Sequence, residues 1–440
     1  MADIVVSLPY GQEMVEVRIP SANLVGVYAP KDFDPVANVK DEVVRAINNP
    51  IASKPLRELV KGAKTVVILA DDNTRLTPTD KIIPVILDEM NAAGVKDEQI
   101  TVIVALGTHR FMTGQEILEK FGEEVVRRVK IKNHDYKTPG ALVDLGKTPN
   151  GTSVWINREV YGADFKIGIG SIVPHHIPGF AGGAKIVQPG ISGEDTTAET
   201  HLLSVRAPRS YLGVEDNPVR EELNKIARQI GMNTIFNTVL NRPGEVVRAF
   251  FGDTIEAFTE GVELSKEVYA VEIPEEADIV ISSSHPCDLE FWQAHKTLYP
   301  SDLAVKAGGT IILVTPCYEG VAVTHSDITE LTHYSAEEVR KKVEAKEVGD
   351  EVAAALAIAW AQVKERESVF LVSEGISPEL ASKLGFTHYN TVQAAFDAAL
   401  AKHGSNARVT VLTHAPDMLP IIKANAKPTA SELQTVGSAS

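Results

Sequence analysis

Residues 168–193 read GIGSIVPHHIPGFAGGAKIVQPGISG, and in this stretch seven glycines and three prolines surround His175, His176 and Lys185. No regular helix or strand can run through it. Glycine admits backbone conformations closed to other residues, and loops built on it expose N–H groups that can cradle a phosphate. Lys185 stands between Gly182-Gly183-Ala184 and Ile186-Val187. A lysine in such surroundings is expected to be partly buried, and so to shed its proton and act as an amine nucleophile. The plainer reading is a long surface loop with an incidental lysine. His201 follows after GEDTTAETH, which looks like a helix start, and His109 stands in ALGTHR just beyond an apolar run. Singly, each of these histidines reads as a capped or solvated residue. Together, placed by loops at strand ends, they could furnish a metal ligand and an acid/base pair. Their spacing fits no zinc signature.

Two further runs carry polar groups suited to anions. In DDNTR (71–75), directly after the strand-like TVVILA, Asp72 could accept from hydroxyls and Thr74 could donate to a phosphate. Arg75 could grip a phosphate or carboxylate with two parallel hydrogen bonds. A helix cap with a surface arginine is the alternative. In FWQAHK (291–296), Gln293 and Lys296 share a helix face at i, i+3 and could meet one anionic ligand, although a plain amphipathic first turn has the same pattern. No G-x-G-x-x-G or G-x-x-x-x-G-K-[ST] occurs in usable context, which counts against ordinary NAD and ATP sites.

The periodicities along the chain supply a scaffold for these groups. MADIVVSLPYGQEMVEVRIP alternates apolar and polar residues and predicts a β-hairpin turning at Tyr10-Gly11. A helix is expected over Val39 to Asn48. Short β-branched runs then alternate with amphipathic ones: strands at 65–70 and 101–107, helices at 80–94 and 116–129. This βαβ rhythm predicts parallel strands with crossover helices. Further strands are expected at 129–132, 165–169 and 234–240, with helices at 218–229 and 254–268. VEIPEEADIVIS restarts the pattern, with strands at 278–283, 310–315, 369–373 and 409–413 and helices at 337–347, 350–365 and 391–403. The expectation is an α/β fold of two Rossmann-like domains with mostly parallel sheets, residues 1–271 and 272–440. The active site is expected in the cleft between them. The closing KPTASELQTVGSAS reads as a frayed tail.

Among 440 residues, 44% are hydrophobic and 23% charged, the balance of a globular chain with a substantial core. A net charge of −16 gives no footprint for nucleic acid or an anionic membrane. The two cysteines, Cys287 and Cys317, form no C-x-x-C pair, so no disulfide framework is expected and the compartment reads as reducing. The N-terminus has no basic leader before an apolar run, and the expected location is cytoplasmic.

Taken in order, DDNTR, GTHR, the PHH…GGAK…H block and WQxxK resemble the lactate racemase family of nickel-pincer enzymes, across roughly residues 1–415. The resemblance implies a racemase or epimerase that inverts a 2-hydroxy acid by reversible hydride transfer. It also implies a nickel-pincer nucleotide (pyridinium-3-thioamide-5-thiocarboxylic acid mononucleotide with nickel), supplied by cofactor-synthesis enzymes and tied to Lys185 as a thioamide. By the same resemblance His201 is the nickel ligand, and Asp72, Thr74, Arg75, Gly182 and Gly183 surround the cofactor. His109 and His175 are the acid/base pair, and Arg75, Gln293 and Lys296 anchor the substrate carboxylate. The N-terminal domain is then the cofactor-binding one and the C-terminal domain contributes substrate contacts. The chain departs from the family where relatives carry tyrosine and this chain has Trp292. It departs again at SSSHPCD (282–288), where many members are glycine-rich. Trp292 and His285 are therefore expected to shape the pocket, for a short or medium 2-hydroxy acid that includes dicarboxylic and sugar acids. Three other readings stand beside this one. They are a zinc or manganese hydrolase with His109, His175 and His201 as ligands, a protein that stores or senses a phosphorylated cofactor without turnover, and an ordinary NAD dehydrogenase.

Overall fold

The computed structural model describes residues 3–423, so the expected frayed tail lies outside the described residues. Two six-stranded sheets carry the fold. In space the first runs Val246–Gly252, Thr234–Leu240, Phe165–Ser171, Val66–Ala70, Ile100–Val104, Lys130–Asn133, and only the first pair is antiparallel. Its central strand, VVILA, is buried at all five residues, as a parallel strand covered by helices on both faces must be. The second sheet runs Thr387–Tyr389, Ser368–Val372, Val305–Val314, Ala277–Ser283, Val409–Leu412, Leu24–Tyr28, and is parallel throughout.

This strand order sets where a ligand can sit. From Val66–Ala70 the chain moves outward to Ile100–Val104 and Lys130–Asn133, then returns to place Phe165–Ser171 on the other side. The loops leaving the carboxyl ends of these strands diverge there, opening a crevice. The second sheet reverses likewise about Ala277–Ser283, flanked by Val305–Val314 and Val409–Leu412. Loops at the first reversal and the helical segments 291–297 and Glu351–Lys364 of the second half line one cavity.

Most of the expected elements are present within a few residues of their expected ends. The hairpin pairs Asp3–Tyr10 with Glu13–Pro20, and the helices Val39–Asn48 and Pro218–Gln229 form as expected. The helix after GTHR begins at Gly114, where Thr113 Oγ1 accepts from the Glu116 N–H and the Glu116 carboxylate accepts from the Thr113 N–H. This capping box ends the loop that carries His109. The strand expected over 101–107 stops at Val104, which leaves Ala105, Leu106 and Gly107 to line the cavity. Leu24–Tyr28 pairs with Val409–Leu412, so a segment grouped by sequence with residues 1–271 hydrogen-bonds to the second sheet. Near the other end of the chain, Leu419–Ile422 pairs with Ala270–Ile273 and ties the two halves together.

Candidate active site

The cavity takes about 1100 Å³, including its solvent-open mouth. Its wall gathers Asp72, Thr74 and Arg75 after one strand, His109 after the next, His175, Gly182 and Lys185 from the glycine loop, and His201 from the helix Glu194–Ser204. Trp292, Gln293 and Lys296 come from the second half.

A single hydrogen-bonded chain crosses the cleft. Asp72 Oδ1 accepts from the Thr74 N–H at 3.1 Å and from Thr74 Oγ1 at 2.5 Å, and Thr74 Oγ1 accepts from Arg75 Nη1 at 2.8 Å. Asp72 Oδ2 lies 2.7 Å from His109 Nδ1. Burial alone would raise the Asp72 carboxyl, but His109, Arg75 and Thr74 hold it well below the usual carboxylate range, so it is an anion. An anion at Nδ1 fixes a ring proton there, so the tautomer it selects for the neutral ring has its lone pair on His109 Nε2. That nitrogen is 3.5 Å from Gln293 Nε2, and Gln293 Oε1 accepts from Lys296 Nζ, at the i, i+3 spacing expected of them. Burial, with Arg75 adding, pushes the Lys296 ammonium down to about 8.

Lys185 sits in a short turn, Gly183–Ile186, with its side chain facing the cavity. Burial pushes its ammonium well below the ordinary range, and Arg75, Lys296 and Arg220 push the same way against Asp72. It forms no ion pair among the described residues, and its surroundings favour the uncharged amine over the ammonium. The loop is held by groups the sequence did not single out. Arg220 donates to the carbonyls of Gly182, at 3.1 Å, and of Phe180, and lies 4.1 Å from the Phe258 ring centre. Asn237 Oδ1 accepts from the Gly183 N–H at 2.8 Å. Gly183 has φ of 57°, and a Cβ there would come within 2.9 Å of Phe258, so packing demands glycine. The expected Gly183 contact to a cofactor is corrected accordingly, because its amide is committed and it does not line the cavity. Asp72 lines the cavity, and both of its oxygens take part in hydrogen bonds, one of them with His109.

His175 is buried and its Nδ1 accepts from the Ile177 N–H at 3.2 Å, which places the proton of the neutral ring on Nε2. Burial, Lys185 and His176 keep the ring neutral, well below the ordinary histidine range. His176 stacks between His175 (4.6 Å) and Tyr299 (4.2 Å), and His295 lies at 5.0 Å. Burial, with Lys185, drives the His201 ring down to about 3 against the pull of the Thr197 carbonyl. Its Nδ1 is buried without a hydrogen-bond partner. Such a neutral, orphaned imidazole suits a borderline-soft metal. Among the described residues no three His, Cys, Asp or Glu converge as a metal cluster, so His109, His175 and His201 do not form the three-ligand site of a hydrolase.

His285 does not line this cavity. Its Nδ1 lies 3.1 Å from Asp288 Oδ2 and its ring 5.5 Å from His414, which corrects its expected place in the substrate pocket. Trp292 does line the cavity, and it stacks at 4.3 Å on His325, a residue sequence reading missed. His325 Nδ1 lies 2.7 Å from Asp350 Oδ2, and its Nε2 lies 3.0 Å from Thr108 Oγ1. Tyr136 donates to the Thr108 carbonyl at 3.0 Å. The loop bearing His109 is thus gripped from both halves.

A family model described as the lactate racemase N-terminal domain matches residues 10–213, and one described as the lactate racemase C-terminal domain matches 273–421. A lactate racemase of Thermoanaerobacterium thermosaccharolyticum is 32% identical over 72% of this chain and 75% of its own. A lactate racemase of Lactiplantibacillus plantarum is 28% identical over 95% of this chain and 99% of its own. The solved lactate racemase apoprotein of T. thermosaccharolyticum superposes with a TM-score of 0.85 at 26% identity, covering 95% of this chain and all of that one (100%). A Thermotoga maritima protein shares the fold, with a TM-score of 0.71 at 20% identity over 89% of this chain and 100% of its own.

Proposed function

Because the chain belongs to the lactate racemase family, a family of isomerases, we propose that it inverts C2 of lactate or a related 2-hydroxy acid at the cleft between its sheets. The observation that carries this reading is the chain of hydrogen bonds from Asp72 through His109 and Gln293 to Lys296, beside a Lys185 that has no ion-pair partner among the described residues and whose charged form burial disfavours.

The donor set fits a tethered, metal-bearing nucleotide. Burial favours the uncharged amine at Lys185, the form that can be acylated, His201 offers an imidazole whose buried Nδ1 lacks a partner, and Gly182 and Arg75 border the space an anion would need. Lys185 would hold the nickel-pincer nucleotide covalently, His201 would ligate its nickel, and Gly182 would border its phosphate end. When bound, that group supplies a hydride acceptor on one side of the substrate. The protein does the rest. Arg75 and Lys296 hold the carboxylate and so fix C2, while Gln293 keeps the Lys296 ammonium turned into the cleft. His109, with its proton held at Nδ1 by Asp72, takes the hydroxyl proton of one enantiomer at Nε2. His175, whose neutral ring carries its proton on Nε2 while Nδ1 accepts from Ile177, donates a hydrogen bond to the oxygen on the opposite side, where inversion presents the hydroxyl of the other enantiomer. Trp292, backed by His325, excludes water while the flat 2-keto acid is held.

The test is peptide mass spectrometry with metal analysis on protein made alongside the cofactor-synthesis enzymes. The reading predicts an adduct on the Lys185 peptide and near-stoichiometric nickel, both absent from Lys185→Ala. An unmodified Lys185 in protein that has met the cofactor would sink it. No helix among the described residues is long and apolar enough to cross a membrane, and the substrate we propose is a free small molecule.

A further inference from the structure

A second, smaller recess opens off the catalytic wall, sharing Arg75, His175 and Lys296 with the main cavity and adding Cys287 and Asp417. Much of its remaining surface is apolar, from Leu76, Val173, Leu240 and Pro416. The other polar side chains there are already engaged: Tyr269 Oη donates to the Leu240 carbonyl at 2.6 Å, Asn241 Nδ2 to the Phe33 carbonyl at 3.0 Å, and Ser171 Oγ pairs with Thr77 Oγ1 at 2.9 Å. The Asp417 carboxylate makes no hydrogen bond or ion pair among the described residues. Burial pushes it up to about 6, against the pull of Lys296, Arg75 and His285, so it is ionised at neutral pH. A carboxylate in an apolar recess is stable only when something donates to it.

We propose that this recess is the subsite for the substrate's tail, and that Asp417 selects 2-hydroxy acids bearing a further hydroxyl on C3 or C4. The inference rests on the racemase reading. With C1 held by Arg75 and Lys296 and the C2 oxygen near His175, the recess is the space these three residues share beyond the reacting carbon. A tail hydroxyl donates to Asp417. An alkyl tail leaves the carboxylate without a partner, and a second carboxylate meets like charge.

The experiment compares glycerate and erythronate with lactate and malate on cofactor-loaded enzyme, wild type against Asp417→Ala. The expected result is that kcat/KM for glycerate over lactate is about 10- to 100-fold in the wild type, the weight of one hydrogen bond to an ionised group, and that it collapses in the variant. Malate should be the poorest substrate. Asp417→Asn, which keeps the shape, should shift the ratio the same way by less, with an unchanged melting temperature. A wild-type ratio near one that the variants leave alone overturns the subsite while the racemase reading stands. If no 2-hydroxy acid is interconverted, the racemase reading has failed. Calorimetric binding of hydroxypyruvate and pyruvate then decides the subsite, because equal effects of Asp417→Ala on both ligands overturn it.

Discussion

The substitution Asp72→Asn probes the machinery where its geometry is most constrained. The Thr74 backbone N–H, 3.1 Å from Asp72 Oδ1, can only donate. An asparagine at 72 must therefore keep its carbonyl oxygen toward Thr74 and turn its NH2 toward His109 Nδ1, now 2.7 Å away. An amide NH2 facing Nδ1 makes that nitrogen an acceptor and moves the ring proton to Nε2, which removes the base from the side of the ring that faces the cleft. Loss of a positioned general base costs about 10²–10⁴ in rate, or roughly 3–5 kcal/mol of transition-state stabilisation. In lactate interconversion by loaded enzyme kcat should fall by that factor with little change in KM. Nitrogen NMR of His109 should report the switched tautomer even in protein without cofactor. A folded, loaded Asp72→Asn enzyme within about threefold of wild type would refute the reasoning.

Other perturbations test the supports. Gly183→Ala places a methyl group within 2.9 Å of Phe258 on a left-handed backbone, and should cost on the order of 1–3 kcal/mol, read as a lower melting temperature. His325→Ala removes the grip on Thr108 and should lower kcat about 10-fold or more, with partial recovery in His325→Gln, whose amide can still hydrogen-bond Thr108. His134, at about 4, and His201, at about 3, titrate in the folded protein below their ordinary value of 6.5. The unfolded chain therefore takes up protons first as pH falls. Stability should hold above about pH 6.5 and fall as pH drops toward 4, visible in melting temperatures across that range.

The site was legible in the sequence where its residues directly follow buried strands. DDNTR and GTHR leave Val66–Ala70 and Ile100–Val104, and a parallel α/β sheet places such residues at its ligand-binding edge. Gln293 and Lys296 were legible from helical spacing alone. His325, Asp350, Arg220 and Asn237 were not, because each acts through a partner far away in sequence, as His325 does on Thr108 at a separation of 217 residues. Nor does a period-2 or period-3.6 pattern reveal sheet order. Leu24–Tyr28 looks like any short strand, and only its pairing with Val409–Leu412 assigns it to the second sheet. His285 was misplaced because the turn after Ser284 brings Cys287 to the recess and leaves the histidine outside it.

Racemisation of enantiopure 2-hydroxy acid by loaded enzyme in deuterium oxide tests the central claim most directly. Transfer of the C2 hydrogen as hydride, with His109 and His175 handling only the hydroxyl proton, predicts that both enantiomers of the product keep protium at C2. Deuterium at C2 appearing in step with racemisation would show proton abstraction from carbon and contradict the account.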